Sequence, residues 1–125
     1  MYSAQLIDHF EHPRNVGEVS DADARAQVEN PACGDIMLLT LKLTDGLISE
    51  ARYRTKGCVA SIACGSLLTE WLRGKSLAEA RALRREAVVS GVGGLSNESQ
   101  HASHLVMDAL HAALKRLPAT TSPQE

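Results

Sequence analysis

No stretch of this chain stays apolar for more than a few residues, the longest lying around "IMLL" at 36–39. A membrane-spanning helix needs about 20 such residues. An export signal needs a basic start followed by an apolar block, which the opening "MYSAQLIDHF" does not offer. Nor does charge of one sign dominate: 13 Lys and Arg stand against 15 Asp and Glu, a formal net charge of -2. With no block of like charge there is no electrostatic footprint for nucleic acid or for an anionic membrane. Cysteine is scarce as well, three residues with no regular spacing, which argues against a disulfide framework and suits a reducing compartment. The expectation is a cytoplasmic protein with neither nucleic acid nor membrane as partner.

What is present fits one domain. A 125-residue chain with 44% hydrophobic content can bury roughly two thirds of its unfolded surface. "SAQLIDHFEHPRN" predicts a short surface helix that Ser3 caps, with Leu6 and Phe10 four apart and a stop before Pro13. Apolar residues then alternate from Met37 to Leu43, "TDG" makes a turn, and Leu47, Ala51 and Tyr53 resume the alternation, which predicts a hairpin. A three-residue loop with Gly46 left-handed would bring the apolar faces together by pairing Leu43 with Leu47, Leu39 with Ala51 and Met37 with Tyr53. That register sets Asp35 opposite Thr55 and Cys33 opposite Gly57. "ARAQVEN" is a weaker candidate for a third strand.

Beyond Cys58 the apolar spacing turns helical through Ile62, Leu67, Leu68, Trp71 and Leu72, and Gly74 supplies the stop. "SLAE" reads as a capping box starting the next helix at Ser76, and "REAVV" adds a further turn or two. Asn97 to Gln100 are placed to cap a last helix, on which Val106, Ala109, Leu110, Ala113, Leu114 and Leu117 form one stripe. The fold class this predicts is α+β, a small antiparallel three-stranded sheet with helices packed on one face, over residues 1–117. "PATTSPQE" at 118–125 reads as a flexible tail.

The chemistry-bearing residues gather at few places. In "NPACGD" Cys33 and Asp35 flank Gly34, so in an extended loop both side chains can point to one side, and glycine leaves room for an approaching ion. Cys58 falls at a strand-to-helix junction, where the unpaired amides of a helix start favour negative charge. His101, near the start of the last helix, offers an imidazole that suits zinc and iron alike. Two thiols, a carboxylate and an imidazole make four candidate ligands. Cys64, six positions beyond Cys58, reads either as a core thiol or as a spare ligand near the same cleft. His104, Asp108 and His111 read as a solvated helix face, and Met107 as packing.

Taken together, "LIDHFEHPRNVG", "NPACGD", "KGCVASIACGSLLTEWLRGKSLAEA" and the final "HAS" with its following helix resemble the NifU/IscU-type iron-sulfur cluster assembly scaffolds over nearly the whole chain. The resemblance implies a compact α+β domain that acts as a scaffold or carrier and not as an enzyme. It implies a transient iron-sulfur cluster, of the [2Fe-2S] type, or alternatively zinc, held by Cys33, Asp35, Cys58 and a third cysteine that follows His101. Here the chain departs, because Ala102 stands where that third thiol is expected. Cys64 falls where relatives carry a small polar residue, and is a candidate additional ligand or sulfur acceptor. A cysteine desulfurase and apo iron-sulfur proteins are the implied partners. "GGLSNESQ" replaces the "LPPVK" segment of chaperone-recognised members, so dedicated chaperone docking is not implied. A zinc-binding sulfur acceptor or desulfurase modulator is the alternative reading.

Overall fold

The computed structural model describes residues 2–31 and 34–117. Cys33 and the expected tail at 118–125 lie outside them. In chain order the elements are helix α1 (Ala4–Glu11), strands β1 (Ala24–Glu29), β2 (Ile36–Thr44) and β3 (Leu47–Lys56), and helices α2 (Val59–Leu72), α3 (Leu77–Arg81), α4 (Arg85–Gly91) and α5 (Gln100–Lys115). The strands form one antiparallel sheet in the order β1-β2-β3. The α+β class is therefore the expected one, and the weak third-strand candidate is a regular strand.

The hairpin register differs from the one predicted, for a definable reason. Asp45 and Gly46 alone make the turn, both left-handed at φ 55° and 81°, with Thr44 opposite Leu47. Asp-Gly is the preferred pair for such a two-residue turn, whose twist matches that of the strands. By itself this turn would set apolar residues of one strand against polar residues of the other. An irregularity between Lys42 and Leu43, with Ser49 as the extra residue on β3, corrects the mismatch: Leu41 pairs with Ala51, Leu39 with Tyr53 and Met37 with Thr55. The bulge puts Ile48 and Ala51 on one buried face and turns Leu47, predicted to line it, outward to 45% exposure. Thr55 thus faces Met37 and not Asp35. The predicted pairing of Cys33 with Gly57 falls outside the described residues.

Helices α2 and α5 pack on the sheet, α5 against β1 and β2 and α2 against β3. Their core partners are the inward-facing Ala24, Ala26, Met37, Leu39, Leu41, Ala51 and Tyr53. The predicted α5 stripe is buried throughout, as is Met107. α2 is buried nearly all round, because α1 covers another of its sides. Its small residues allow close approach: a Cβ at Gly65 would lie 2.5 Å from the Tyr53 ring. The Tyr53 hydroxyl donates to the Ile62 carbonyl at 2.8 Å, fixing helix to strand. On α1, Ser3 accepts from the Leu6 amide at 3.0 Å as predicted, Leu6 is buried, and Phe10 is largely exposed. The sheet's other face is crossed by the segment after α1, where the Val19 amide donates to the buried Thr40 hydroxyl at 2.9 Å.

The capping box at Ser76 and Glu79 is formed. The approach to α5 is different from the one predicted. Asn97–Ser99 form a 3-10 turn, and no side chain caps α5 itself. This turn brings the first residues of α5 to the end of the sheet where β3 runs through Gly57 and Cys58 into α2.

Candidate metal centre

Three elements meet at that end. Asp35 immediately precedes β2, Cys58 is the N-cap residue of α2, and His101 sits in the first turn of α5. Cys58 Sγ lies 3.4 Å from His101 Nε2, and His101 Nε2 lies 3.4 Å from Asp35 Oδ2. One donor atom from each residue falls within 4.8 Å of the others. A tetrahedral ion of zinc size, with sulfur at about 2.3 Å and nitrogen or oxygen near 2.1 Å, spaces S and N about 3.6 Å apart and N and O about 3.4 Å apart. The two contacts match those edges, and all three donor atoms lie within 4.8 Å of one another, a spacing that one ion could bridge.

Local structure holds each side chain. Asp35 is buried and its carboxylate lies against the start of α2, where Oδ2 accepts from the Cys58 amide at 3.2 Å and from the Ser61 hydroxyl at 2.7 Å. A carboxylate there complements the positive end of the helix dipole. Its approach depends on Gly57, since a Cβ at that position would lie 2.6 Å from both Cγ and Oδ2 of Asp35. Gly34 is needed for its backbone conformation. It is left-handed at φ +78°, a conformation that favours glycine, and no protein atom lies within 4 Å of where its Cβ would stand. The ring of His101 is oriented by the Glu98 carbonyl, 2.9 Å from Nδ1. A carbonyl only accepts, so Nδ1 carries a proton, and Nε2 is the nitrogen that faces Cys58 and Asp35. That is how a metal-binding imidazole is commonly fixed.

Of the predicted ligands, then, Asp35, Cys58 and His101 come together, and Cys33 lies outside the described residues. Cys64 is fully buried among core side chains, where burial first and the neighbouring Cys58 second push its thiol up to about 12. Ala102 is likewise fully buried. His104, Asp108 and His111 are exposed, as predicted. A cleft of about 560 Å³ lined by Arg14, Thr44, Leu47, Glu70 and Arg73 lies at the hairpin-turn end of β3, away from the ligands, and has no thiol or imidazole in its walls.

Sequence reasoning missed Ser61 and Gly57. Ser61 carried one usable signal: it lies three positions after the helix-capping Cys58, the spacing at which a side chain reaches back to the cap. Gly57 carried none, because the carboxylate it admits comes from a residue 22 positions earlier.

A family model described as "NifU-like N terminal domain" matches residues 1–123. The iron-sulfur cluster assembly scaffold protein IscU 1 of Archaeoglobus fulgidus is 44% identical over 114 residues, 91% of this chain and 74% of that protein. Its counterpart IscU of Escherichia coli K12 is 44% identical over 117 residues, 90% of this chain and 91% of that protein. Among solved structures, an N-terminal NifU-like protein of Brucella abortus superposes with a TM-score of 0.75 at 20% identity, covering 92% of each chain, which shows a shared fold.

Proposed function

Because the chain belongs to the NifU-like N-terminal domain family, we propose that it is an iron-sulfur cluster assembly scaffold, a carrier that takes up iron and sulfide and hands the nascent cluster to apo-proteins. The observation that carries this reading is the convergence of Asp35, Cys58 and His101 at separations one ion can bridge, in a chain 44% identical to proteins named as such scaffolds. Cys33 is the proposed fourth ligand. The cluster is cargo here, and cargo must leave. Side-chain exposures of 24% for His101 and 11% for Asp35, with Cys58 half-buried, describe a site open on one side, whereas a closed four-ligand cage suits permanent structural metal. The sulfide source is a cysteine desulfurase and the recipients are apo iron-sulfur proteins in the cytoplasm. Among the described residues no helix is long and apolar enough to cross a membrane.

Anaerobic reconstitution with ferrous iron and sulfide tests the proposal. The expected product is a protein-bound cluster, [2Fe-2S] in type, that passes to an apo-ferredoxin; failure to load under conditions that load a three-cysteine relative overturns it. The same separations suit zinc, which favours one alternative, a zinc-bearing sulfur acceptor or desulfurase modulator that builds no cluster. Iron, zinc and acid-labile sulfide measured on anaerobically isolated protein separate the two.

A further inference from the structure

One fully buried hydroxyl stands between two of the proposed ligands. Ser61 Oγ lies 2.7 Å from Asp35 Oδ2 and 3.5 Å from Cys58 Sγ, and the residue has no exposed surface. Helix capping does not require it: Asp35 Oδ2 already accepts from the Cys58 amide, so the start of α2 has its carboxylate partner without the serine. What the hydroxyl adds is reach toward the sulfur.

A serine hydroxyl has one proton to give, so it satisfies one acceptor at a time. The short contact to Oδ2 commits that proton to the carboxylate, and Cys58 Sγ stands beside Ser61 Oγ without receiving it. Loading a cation changes the demand, because a coordinating cysteine must give up its proton. The thiolate becomes a second acceptor for the same O–H, while Oδ2 keeps the Cys58 amide.

Resting on the assignment of Asp35 and Cys58 as ligands, we propose that Ser61 is a positioning residue of this site: its O–H orients the Asp35 carboxylate while the site is empty and turns to the Cys58 thiolate when a cation is bound. Position explains why this residue can do so. It lies one turn into α2 from Cys58, and its side chain points back to the helix start, where both ligands are in reach. Ala102, buried and without a polar atom, offers the thiolate no such bond.

Cobalt(II) is the probe, since its affinity and its sulfur-to-cobalt charge-transfer band can both be read without building a cluster. The parent chain should bind cobalt with such a band. Ser61→Ala should bind roughly 10-fold to 100-fold more weakly, the usual effect of removing a group that orients a ligand. Its band should also move to lower energy, because a thiolate relieved of a hydrogen bond holds its electrons less tightly. Alanine is the better helix former, so the fold is retained, and a purely structural role would leave the band where it is. Ser61→Thr, which keeps the hydroxyl, should return the band toward the parent position. Affinity within threefold of the parent and an unmoved band in Ser61→Ala overturn the role of Ser61. A parent chain that binds cobalt without any sulfur band overturns the ligand assignment itself, a separate failure.

Discussion

Gly57→Ala is the substitution whose effect follows most directly from the geometry. Gly57 is not among the left-handed residues, so alanine can adopt its backbone and the conflict is confined to what the new Cβ meets. It meets Asp35, at 2.6 Å from Cγ and Oδ2 and 3.0 Å from Cβ, well inside van der Waals contact. The carboxylate has to rotate away, giving up the Cys58 amide and the Ser61 hydroxyl. Hydrogen bonds to a charged group contribute about 1.5–3 kcal/mol each, and a carboxylate at a helix start about 0.3–1 kcal/mol more. These share one carboxylate and do not add in full, and glycine's lost unfolded-state freedom returns about 0.4–1 kcal/mol. The expected net loss is about 2–3 kcal/mol, or about 6–15 °C in Tm for a chain of this size. Thermal melts followed by circular dichroism in metal-free buffer measure it. The decisive arm is the double variant. With Asp35→Ala already in place there is no carboxylate to displace and only the Cβ at 3.0 Å remains in the way, so Gly57→Ala should then cost far less than in the parent. Equal losses in the two backgrounds, or none in the parent, would refute the claim that Gly57 acts by admitting the Asp35 carboxylate.

Other consequences are simpler to read. His9 is buried, with Nδ1 2.7 Å from Ser66 Oγ and 3.1 Å from Arg14 Nη1; burial first and the Arg14 cation second hold its pKa below 6.5 against the opposing Glu70 and Asp8 charges. The unfolded chain takes up that proton near pH 6.5 while the folded one resists, so stability should fall as pH drops below about 6.5, and urea midpoints across that range should fall less in His9→Gln. Buried and raised to about 12, the Cys64 thiol should escape a thiol reagent that labels Cys58 in the native protein; peptide mapping that finds comparable labelling at the two sites would contradict its core placement. Gly65→Ala should lower stability by about 1–3 kcal/mol through overpacking, since its Cβ would stand 2.5 Å from the Tyr53 ring; an unchanged urea midpoint would mean that strand and helix are not packed so closely.

How far the sequence reveals this molecule depends on the range over which each feature is decided. The α5 stripe and the alternation in β2 are local, each element's own periodicity meeting one apolar layer, and both are read correctly. The hairpin register is not local. Ile48 and Leu47 offer β3 two apolar phases, and only the pairing of a two-residue Asp45–Gly46 turn with a bulge at Ser49 decides between them. At the site the three side chains that converge are legible because cysteine is scarce, three in the chain, and Asp35 lies two positions from one of them. Ser61 and Gly57 are not, because serine in a helix and glycine before one have ordinary explanations, and what distinguishes these two is contact with Asp35 from far along the chain.

That carboxylate also explains why the site lies at this junction. Its Oδ2 oxygen accepts from the Cys58 amide and the Ser61 hydroxyl and lies 3.4 Å from His101 Nε2, so an ion held at the proposed site would compete with the hydroxyl for it. Tight holding of cargo and full capping of the helix therefore make opposing claims on one atom. A helix buried nearly all round, as α2 is, can tolerate a weakened cap, because its place is set by packing against α1, α5 and β3. An exposed helix relying on that cap would fray when the ion arrived. The burial of α2 is thus what would let one carboxylate serve the fold and, in the proposed function, the cargo.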